Sequence, residues 1–395
     1  MNLPENQAPS GGMQYQLQIY AAGTQNIKPK LPVSYEELEK KASEVMVPEA
    51  FDYIAGGAGA EASANNNIQA FNKWQIVPRM MGDVSLRNIS IDLFGMQLPT
   101  PILLAPVGVL SIAHPDAEVA VAKAAKKLRI PQVVSTVSSK TIEEIGKEHA
   151  DHPHWFQLYW GRNNDFTKSI IHRAEMAGYS AIVVTLDTRL FAWRERDIKN
   201  AYLPFLFNEG LANYFSDPVF LKLTGDPRKN KMETMLQFAN CFSNPCSTWK
   251  DLAIIKTCTK LPVLVKGIQH PDDAVLAIEN GADGIIVSNH GGRQLDGAIG
   301  SLEALDKIAN KVGEKTTILF DSGIRRGADV FKAMALGAKA VLVGRPYAFA
   351  LALGGEEGVR EIIGNLLADI DLTMGLAGCT SWKDVTKDRL QHFKE

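Results

Sequence analysis

Cysteine is scarce in this chain and unpatterned. Cys241, Cys246, Cys258 and Cys379 are the only four among 395 residues, with no Cys-x-x-Cys pair and no histidine at zinc spacing. That excludes a disulfide framework or a zinc site as the organising device and leaves buried free thiols in a reducing compartment as the expectation. Neither sign of charge dominates, with 42 Lys plus Arg against 44 Asp plus Glu and a formal net charge of −2. Such a balance offers no electrostatic footprint for nucleic acid or an anionic membrane. The sequence holds no uncharged apolar run long enough to cross a bilayer, and no basic region followed by an apolar one near its start. A soluble, cytoplasmic protein is expected. What the chain does have is a globular composition, 46% hydrophobic and 22% charged, in a length that suits one large domain or two to three average ones.

The organising pattern is an alternation. Short apolar runs at 101–106, 132–136, 155–159, 181–187, 262–267, 284–290, 317–323 and 340–346 are separated by amphipathic segments. Uniformly apolar runs of this length read as strands buried on both faces. The joints repeat: Gly178, Gly281 and Gly337 each precede a strand start by three residues, within Ala-Gly-Tyr-Ser-Ala, Asn-Gly-Ala-Asp-Gly and Leu-Gly-Ala-Lys-Ala. Such a βα repeat is a stronger signal than any single element. Eight near-equal units predict a (β/α)8 TIM barrel over 31–395, preceded by a flexible arm over 1–30 and a helix capped by Ser34. The Gly57-x-Gly59-x-x-Ala62 string fits a dinucleotide-binding pattern but lacks a preceding strand, so that reading is rejected. One interval is too long for a single helix. Residues 200–245, after the fourth strand, are rich in Phe, Tyr, Asn, Pro and Lys with weak periodicity, and read as a lid-like insertion or as a disordered or oligomer-contact loop.

In a barrel the C-terminal strand ends converge on one site. Here they carry Pro106 with Gly108, Ser135, Gln157 with Tyr159, Thr185 with Asp187, Lys266, Ser288 with His290, Asp321 with Gly323, and Gly344 with Arg345. All are hydrogen-bonding groups or glycines that expose backbone. His290 and Arg293, in Ser-Asn-His-Gly-Gly-Arg-Gln-Leu-Asp (288–296), pair a group that titrates near neutrality with a fork that matches a carboxylate. Arg194 is a second carboxylate holder. Asp321 to Gly327, ahead of a helix, and Gly344-Arg345-Pro346 offer free N–H groups and arginines for a phosphate. A phosphate-bearing cofactor beside a proton-removing histidine points to redox chemistry on a small acid, with Lys266 placed to stabilise developing negative charge.

The 288–296 string, Val265-Lys266-Gly267, the 320–327 string and Gly344-Arg345-Pro346 together resemble the FMN-dependent α-hydroxy acid oxidases and dehydrogenases, over about residues 31 to 390. The resemblance implies FMN as cofactor and no metal. It implies a small L-2-hydroxy acid, foremost L-lactate, as substrate, O2 as electron acceptor with H2O2 as product, and a homotetramer or higher assembly. It assigns His290 as catalytic base supported by Asp187, with Tyr159 and Lys266 assisting, and Lys266 at the N1 and O2 edge of the flavin. Substrate would meet Tyr53, Tyr159, Arg194, Arg293, Tyr202 and Tyr214. FMN would contact Pro106, Val107, Gly108, Ser135, Gln157, Thr185, Lys266, Ser288, Asp321, Gly323, Arg325, Gly344 and Arg345.

Three positions depart from the family pattern: Gly108 stands where many members have alanine, Val137 where an aromatic is common, and Leu203 where some members have tyrosine. The first two predict a pocket wider than one built for glycolate. A lactate 2-monooxygenase, a dehydrogenase or a glycolate-type oxidase is the alternative within the family. A non-catalytic phosphate-ligand barrel is the alternative outside it.

Overall fold

The computed structural model describes residues 11–393. Eight parallel strands close into a barrel in chain order: β1 (Ile102–Leu104), β2 (Gln132–Ser135), β3 (His154–Tyr159), β4 (Ile182–Thr185), β5 (Val263–Ile268), β6 (Gly284–Val287), β7 (Thr317–Phe320) and β8 (Ala340–Val343), which pairs back onto β1. Each apolar run of the sequence supplies one strand, and the (β/α)8 barrel stands.

Strand alternation decides what faces inward. Leu103, Val133, Trp155, Val183, Leu264, Ile286, Leu319 and Leu342, one from each strand, form a buried cluster of their own. Ile102, Leu104, Val134, Phe156, Val265, Val287 and Phe320 belong instead to the cluster shared with the outer helices. Two residues beyond each interior residue stand Ala105, Ser135, Gln157, Thr185, Lys266, Ser288, Asp321 and Gly344. A polar layer therefore sits on an apolar one at the C-terminal end. The opposite end is closed by the antiparallel hairpin Ile91–Leu93 and Met96–Leu98, whose Ile91, Leu93 and Leu98 join the interior cluster. Register reinforces the polar layer, since Thr185 pairs with Tyr159 on one side and Lys266 on the other. A bulge follows at Gly267 (φ 105°), where a Cβ would lie 2.7 Å from Cβ of Asp187. Glycine is required there for Asp187 to lie against β5.

Two expectations change. Residues 1–10 lie outside the described residues, but Gly12–Gly23 is a helix rather than a flexible arm. It docks on the last helix, Arg345–Leu376: the Gly12 N–H donates to Asp371 Oδ2 (2.6 Å) and Tyr15 Oη to Asn365 Oδ1 (2.9 Å). Nor is the 200–245 insertion disordered. It folds into short helices, among them Pro218–Thr224 and Lys231–Phe242, around buried Phe205, Tyr214, Phe220, Phe238 and Phe242. The pieces pack on one another and on Phe166, so their apolar spacing follows no single helical period. The Gly57–Ala62 string follows the helix Pro48–Ala55 and not a strand, as the rejection of a dinucleotide site required. Ser34 caps the helix Tyr35–Val45 by accepting the Glu37 N–H at 3.3 Å. The four cysteines are free; Cys241 and Cys379 are buried while Cys246 is exposed, so burial of all four does not hold. No helix among the described residues is long and apolar enough to cross a membrane.

Candidate active site

A cavity opens above the polar layer, lined on one side by Pro106, Val107, Gly108, Lys266, Asp321, Gly323, Arg325, Gly344 and Arg345, and on the other by Tyr53, Tyr159, Arg194, His290 and Arg293. Both expected sub-sites therefore share one space. Three lining residues other than glycine hold positive φ: Val109 (60°), His290 (59°) and Ser322 (88°). Left-handed backbone at a β-branched valine is strained, and such strain collects where a site over-determines its geometry.

His290 Nδ1 lies 2.8 Å from Asp187 Oδ1, which also accepts the Thr188 hydroxyl at 3.0 Å. Burial pushes the His290 pKa below the ordinary 6.5; Asp187 resists, and Lys266 and Arg194 add to the push. The ring is thus neutral near pH 7. With Nδ1–H given to the carboxylate, Nε2 carries the free lone pair, which is the tautomer of a base. Burial disfavours the charge on Asp187, but His290 and Lys266 outweigh it and hold its carboxyl below the usual range. Asp187 Oδ2 is buried without a partner.

The floor is an ordered network. Lys266 Nζ donates to Ser288 Oγ (2.9 Å) and pairs with Asp321 Oδ2 (3.2 Å). Ser135 Oγ donates to Gln157 Oε1 (3.1 Å), and Gln157 Nε2 to Thr185 Oγ1 (2.9 Å). Ser135, Gln157, Thr185 and Ser288 are buried in the layer beneath the cavity wall.

Cations crowd the walls. Arg293 and Arg194 flank the Tyr53 ring at 5.3 and 5.9 Å. Arg293 Nη1 donates to the carbonyls of Tyr53 (2.6 Å) and Gly56 (2.7 Å). Burial, and then the nearby Arg194 and Arg345, press its pKa down. Arg345 donates to the carbonyls of Ile54, Gly291 and Gly56 at 2.8–3.1 Å. Arg325 lies 3.8 Å over the Tyr35 ring, with its Nε buried and unpartnered. Arg194 has a carboxylate, Asp197, at 3.6 Å; Arg293, Arg325 and Arg345, part-buried and answered by carbonyls and rings, are matched by an anion. The start of the helix at Arg345 and the φ of 100° at Gly323 add the features of a phosphate cradle.

Two residues expected at the substrate stand elsewhere. Tyr214 is buried in the insertion between Phe166, Phe220 and Phe238, because its short helix turns the ring toward the insertion's own core. Tyr202 stands behind Tyr53, edge-on at 6.4 Å, and Leu203 lines the cavity in its place. Gly108 also differs from expectation. A Cβ there would meet Val137 Cγ2 at 2.5 Å and Val137 O at 2.7 Å. The room left by the missing methyl is filled by Val137 and does not widen the pocket. The sequence reading missed Phe191, Phe205 and Phe242, which form an aromatic roof, and Thr188. Thr188 was reachable as the neighbour of Asp187. The roof carried no periodic signal.

The carboxylate-held histidine and the phosphate cradle share one cavity at the C-terminal end of the barrel, an arrangement for an oxidoreductase that uses a phosphate-bearing cofactor. Residues 42–392 match the model of the FMN-dependent dehydrogenase family. The chain belongs to that family, and FMN is its cofactor. It is 45% identical to an L-lactate oxidase of Lysinibacillus sphaericus, over 89% of this chain and 90% of that one. It is 43% identical to an FMN-dependent alpha-hydroxy acid dehydrogenase of Penicillium citrinum, over 96% of each. The crystal structure of a mandelate oxidase superposes with a TM-score of 0.80 at 39% identity, covering 91% of this chain and 98% of that one.

Proposed function

We propose that this enzyme oxidises an L-2-hydroxy acid, with L-lactate giving pyruvate as its principal reaction, and passes the electrons to O2 to form H2O2. The observation that carries this reading is the Asp187–His290 pair at 2.8 Å, opening on a cavity that Arg194 and Arg293 also line. Arg194 and Arg293 bind the substrate carboxylate, and Tyr53 and Tyr159 orient its hydroxyl. His290 Nε2 accepts one proton as the substrate loses two electrons and two protons overall, and Asp187 stabilises the imidazolium that results. FMN supplies the two-electron acceptor. Arg325 and Arg345, with the N–H groups at Gly323 and Gly344, would hold its phosphate. Lys266, fixed by Ser288 and Asp321, would stabilise negative charge beside it. Val137, Leu203 and Phe205 give the substrate's carbon chain an apolar wall that suits a methyl group.

The aromatic roof of Phe191, Phe205 and Phe242 favours a second reading, a larger or aromatic 2-hydroxy acid. The test is anaerobic bleaching of the purified yellow protein by glycolate, L-lactate, 2-hydroxybutyrate and mandelate, followed by admission of O2. L-lactate should give the highest kcat/KM, with one H2O2 and one pyruvate per turnover. Preference for mandelate would overturn the substrate. Bleaching that O2 does not reverse would make the enzyme a dehydrogenase, and acetate in place of pyruvate a monooxygenase.

A further inference from the structure

Asn289 precedes the proposed base and belongs to a closed amide pair. Asn67 Nδ2 donates to Asn289 Oδ1 and Asn289 Nδ2 donates to Asn67 Oδ1, each at 2.8 Å, with both side chains buried. Neighbours of fixed polarity set both amide orientations. Asn289 Oδ1 accepts the Gly292 N–H (3.0 Å), Asn289 Nδ2 donates to the Ile299 carbonyl (3.2 Å), and Asn67 Oδ1 accepts the Ser301 N–H (3.0 Å). The Gly292 bond spans His290 and Gly291, so it closes a turn in which residues 290 to 292 all have left-handed φ (59°, 64° and 78°). A histidine in that region is strained and persists only where its surroundings enforce it.

Asn67 reaches the other half of the site as well. It lies in the helix Ala62–Asn72, and a Cβ on Gly323 would meet its carbonyl oxygen at 3.1 Å and its Cβ at 3.3 Å. A Cβ on Gly292 would meet the Ala64 nitrogen at 2.4 Å. One helix outside the barrel is thus wedged against the histidine loop and the phosphate loop together.

We propose that Asn67 is a positioning residue for the reaction: acting through Asn289, it holds the His290 backbone in the left-handed turn that aims the imidazole at the substrate. The proposal rests on His290 as the proton acceptor. It requires no contact between Asn67 and substrate or flavin. Alanine is a better helix former than asparagine, so Asn67→Ala does not weaken the helix through propensity, and what it removes is the grip on Asn289 together with the bond to the Ser301 N–H.

The experiment measures flavin content, melting temperature and steady-state kinetics with L-lactate for Asn67→Ala, Asn289→Ala, the double variant and the isosteric Asn67→Asp. Each variant should retain FMN. Displacement of a reacting group by an ångström costs up to ~100-fold, so kcat of Asn67→Ala should fall about 10- to 100-fold. Uniform binding is untouched, so KM should stay within about threefold of wild type. The double variant should lose no more than the worse single one, because both break the same link. Asn67→Asp, which replaces a donor by an acceptor facing Asn289 Oδ1, should show the same split and carries the test if the alanine variant fails to fold. Wild-type kcat with a lowered melting temperature, or additive losses in the double variant, would overturn the proposal. Full reduction by L-lactate in His290→Gln would instead overturn the base assignment on which it rests.

Discussion

The barrel holds histidines at both of its ends, and the two ends treat them oppositely. At the C-terminal end His290 has a carboxylate at 2.8 Å and a ring edge on the cavity. At the N-terminal end His149 and His154 stack face to face, with centroids 4.5 Å apart and planes 6° apart. His149 bonds the Gln132 amide oxygen at 2.9 Å, and its Nδ1 has no partner. Burial, with His154 and His152 adding to it, depresses the His149 pKa to about 2. Both rings are neutral at pH 7, but only one is a base. Burial alone removes the proton from a histidine. A carboxylate behind the ring lets the proton return when a reaction releases it. The difference lies in the partner, amide or carboxylate, and in access to a cavity.

The largest effect should come from breaking the upper pair. His290→Gln should retain FMN and lose about 10²–10⁴-fold in the rate of flavin reduction by L-lactate, the usual contribution of a general base. Asp187→Asn keeps the shape but takes away the charge that supports the imidazolium, and its amide can turn a donor toward Nδ1 and so favour the wrong tautomer. It should fall in the same range, and a rate within tenfold of wild type would show that His290 works without it. Next come the cations. A hydrogen bond to a charged group contributes about 1.5–3 kcal/mol, so Arg345→Ala or Arg325→Ala should weaken FMN retention by roughly 10- to 100-fold, read by equilibrium dialysis. Unchanged retention in both would move the phosphate elsewhere. A smaller effect is a position on the pH axis. Because the His290 pKa lies below 6.5, the acid limb of kcat/KM should fall below pH 6.5, and a limb above that value would show that the base is not this desolvated ring.

The asymmetry between the two ends was only half legible in the sequence. The strands were legible because short apolar runs recur eight times, three of them preceded by a helix-ending glycine. The polar layer was legible because strand alternation places every second residue inward, so Ser135, Gln157, Thr185, Lys266, Ser288 and Asp321 could be aligned without coordinates. His290 and Arg293 stood out by their glycine neighbours. Side-chain direction in irregular segments was not legible. Tyr202 packs edge-on against Tyr53 and Tyr214 against Phe238, ring contacts that no spacing in the sequence announces. The effect of Gly108 could not be read from its own missing methyl, since Val137, 29 residues later in the chain, occupies that space. The His149–His154 stack was invisible too, because a helix end and a strand start meet there only in three dimensions.

The smallest effect on catalysis belongs to the lower histidines, and it sharpens the contrast most. His149→Gln removes a titrating ring and keeps an amide able to donate to Gln132. It lies at the end opposite the cavity, so kcat/KM for L-lactate should stay within about twofold of wild type. Its signature is in stability against pH. In the unfolded chain His149 takes a proton near pH 6.5, whereas in the fold it resists until about pH 2. Between those values the unfolded state binds more protons, so stability falls as pH falls. Each pH unit below 6.5 removes up to ~1.4 kcal/mol through this one group. His152 and His154, also depressed by burial, act with the same sign. Glu118, pushed up from 4.5 to about 7 by burial, acts with the opposite sign over that interval, but it is common to both proteins and drops out of their difference. The melting temperature of His149→Gln should therefore decline less steeply than that of wild type between pH 7 and pH 5. An equally steep decline would mean that His149 accepts protons in the fold as readily as in the unfolded chain, and the distinction between the two ends would then rest on access to the cavity alone.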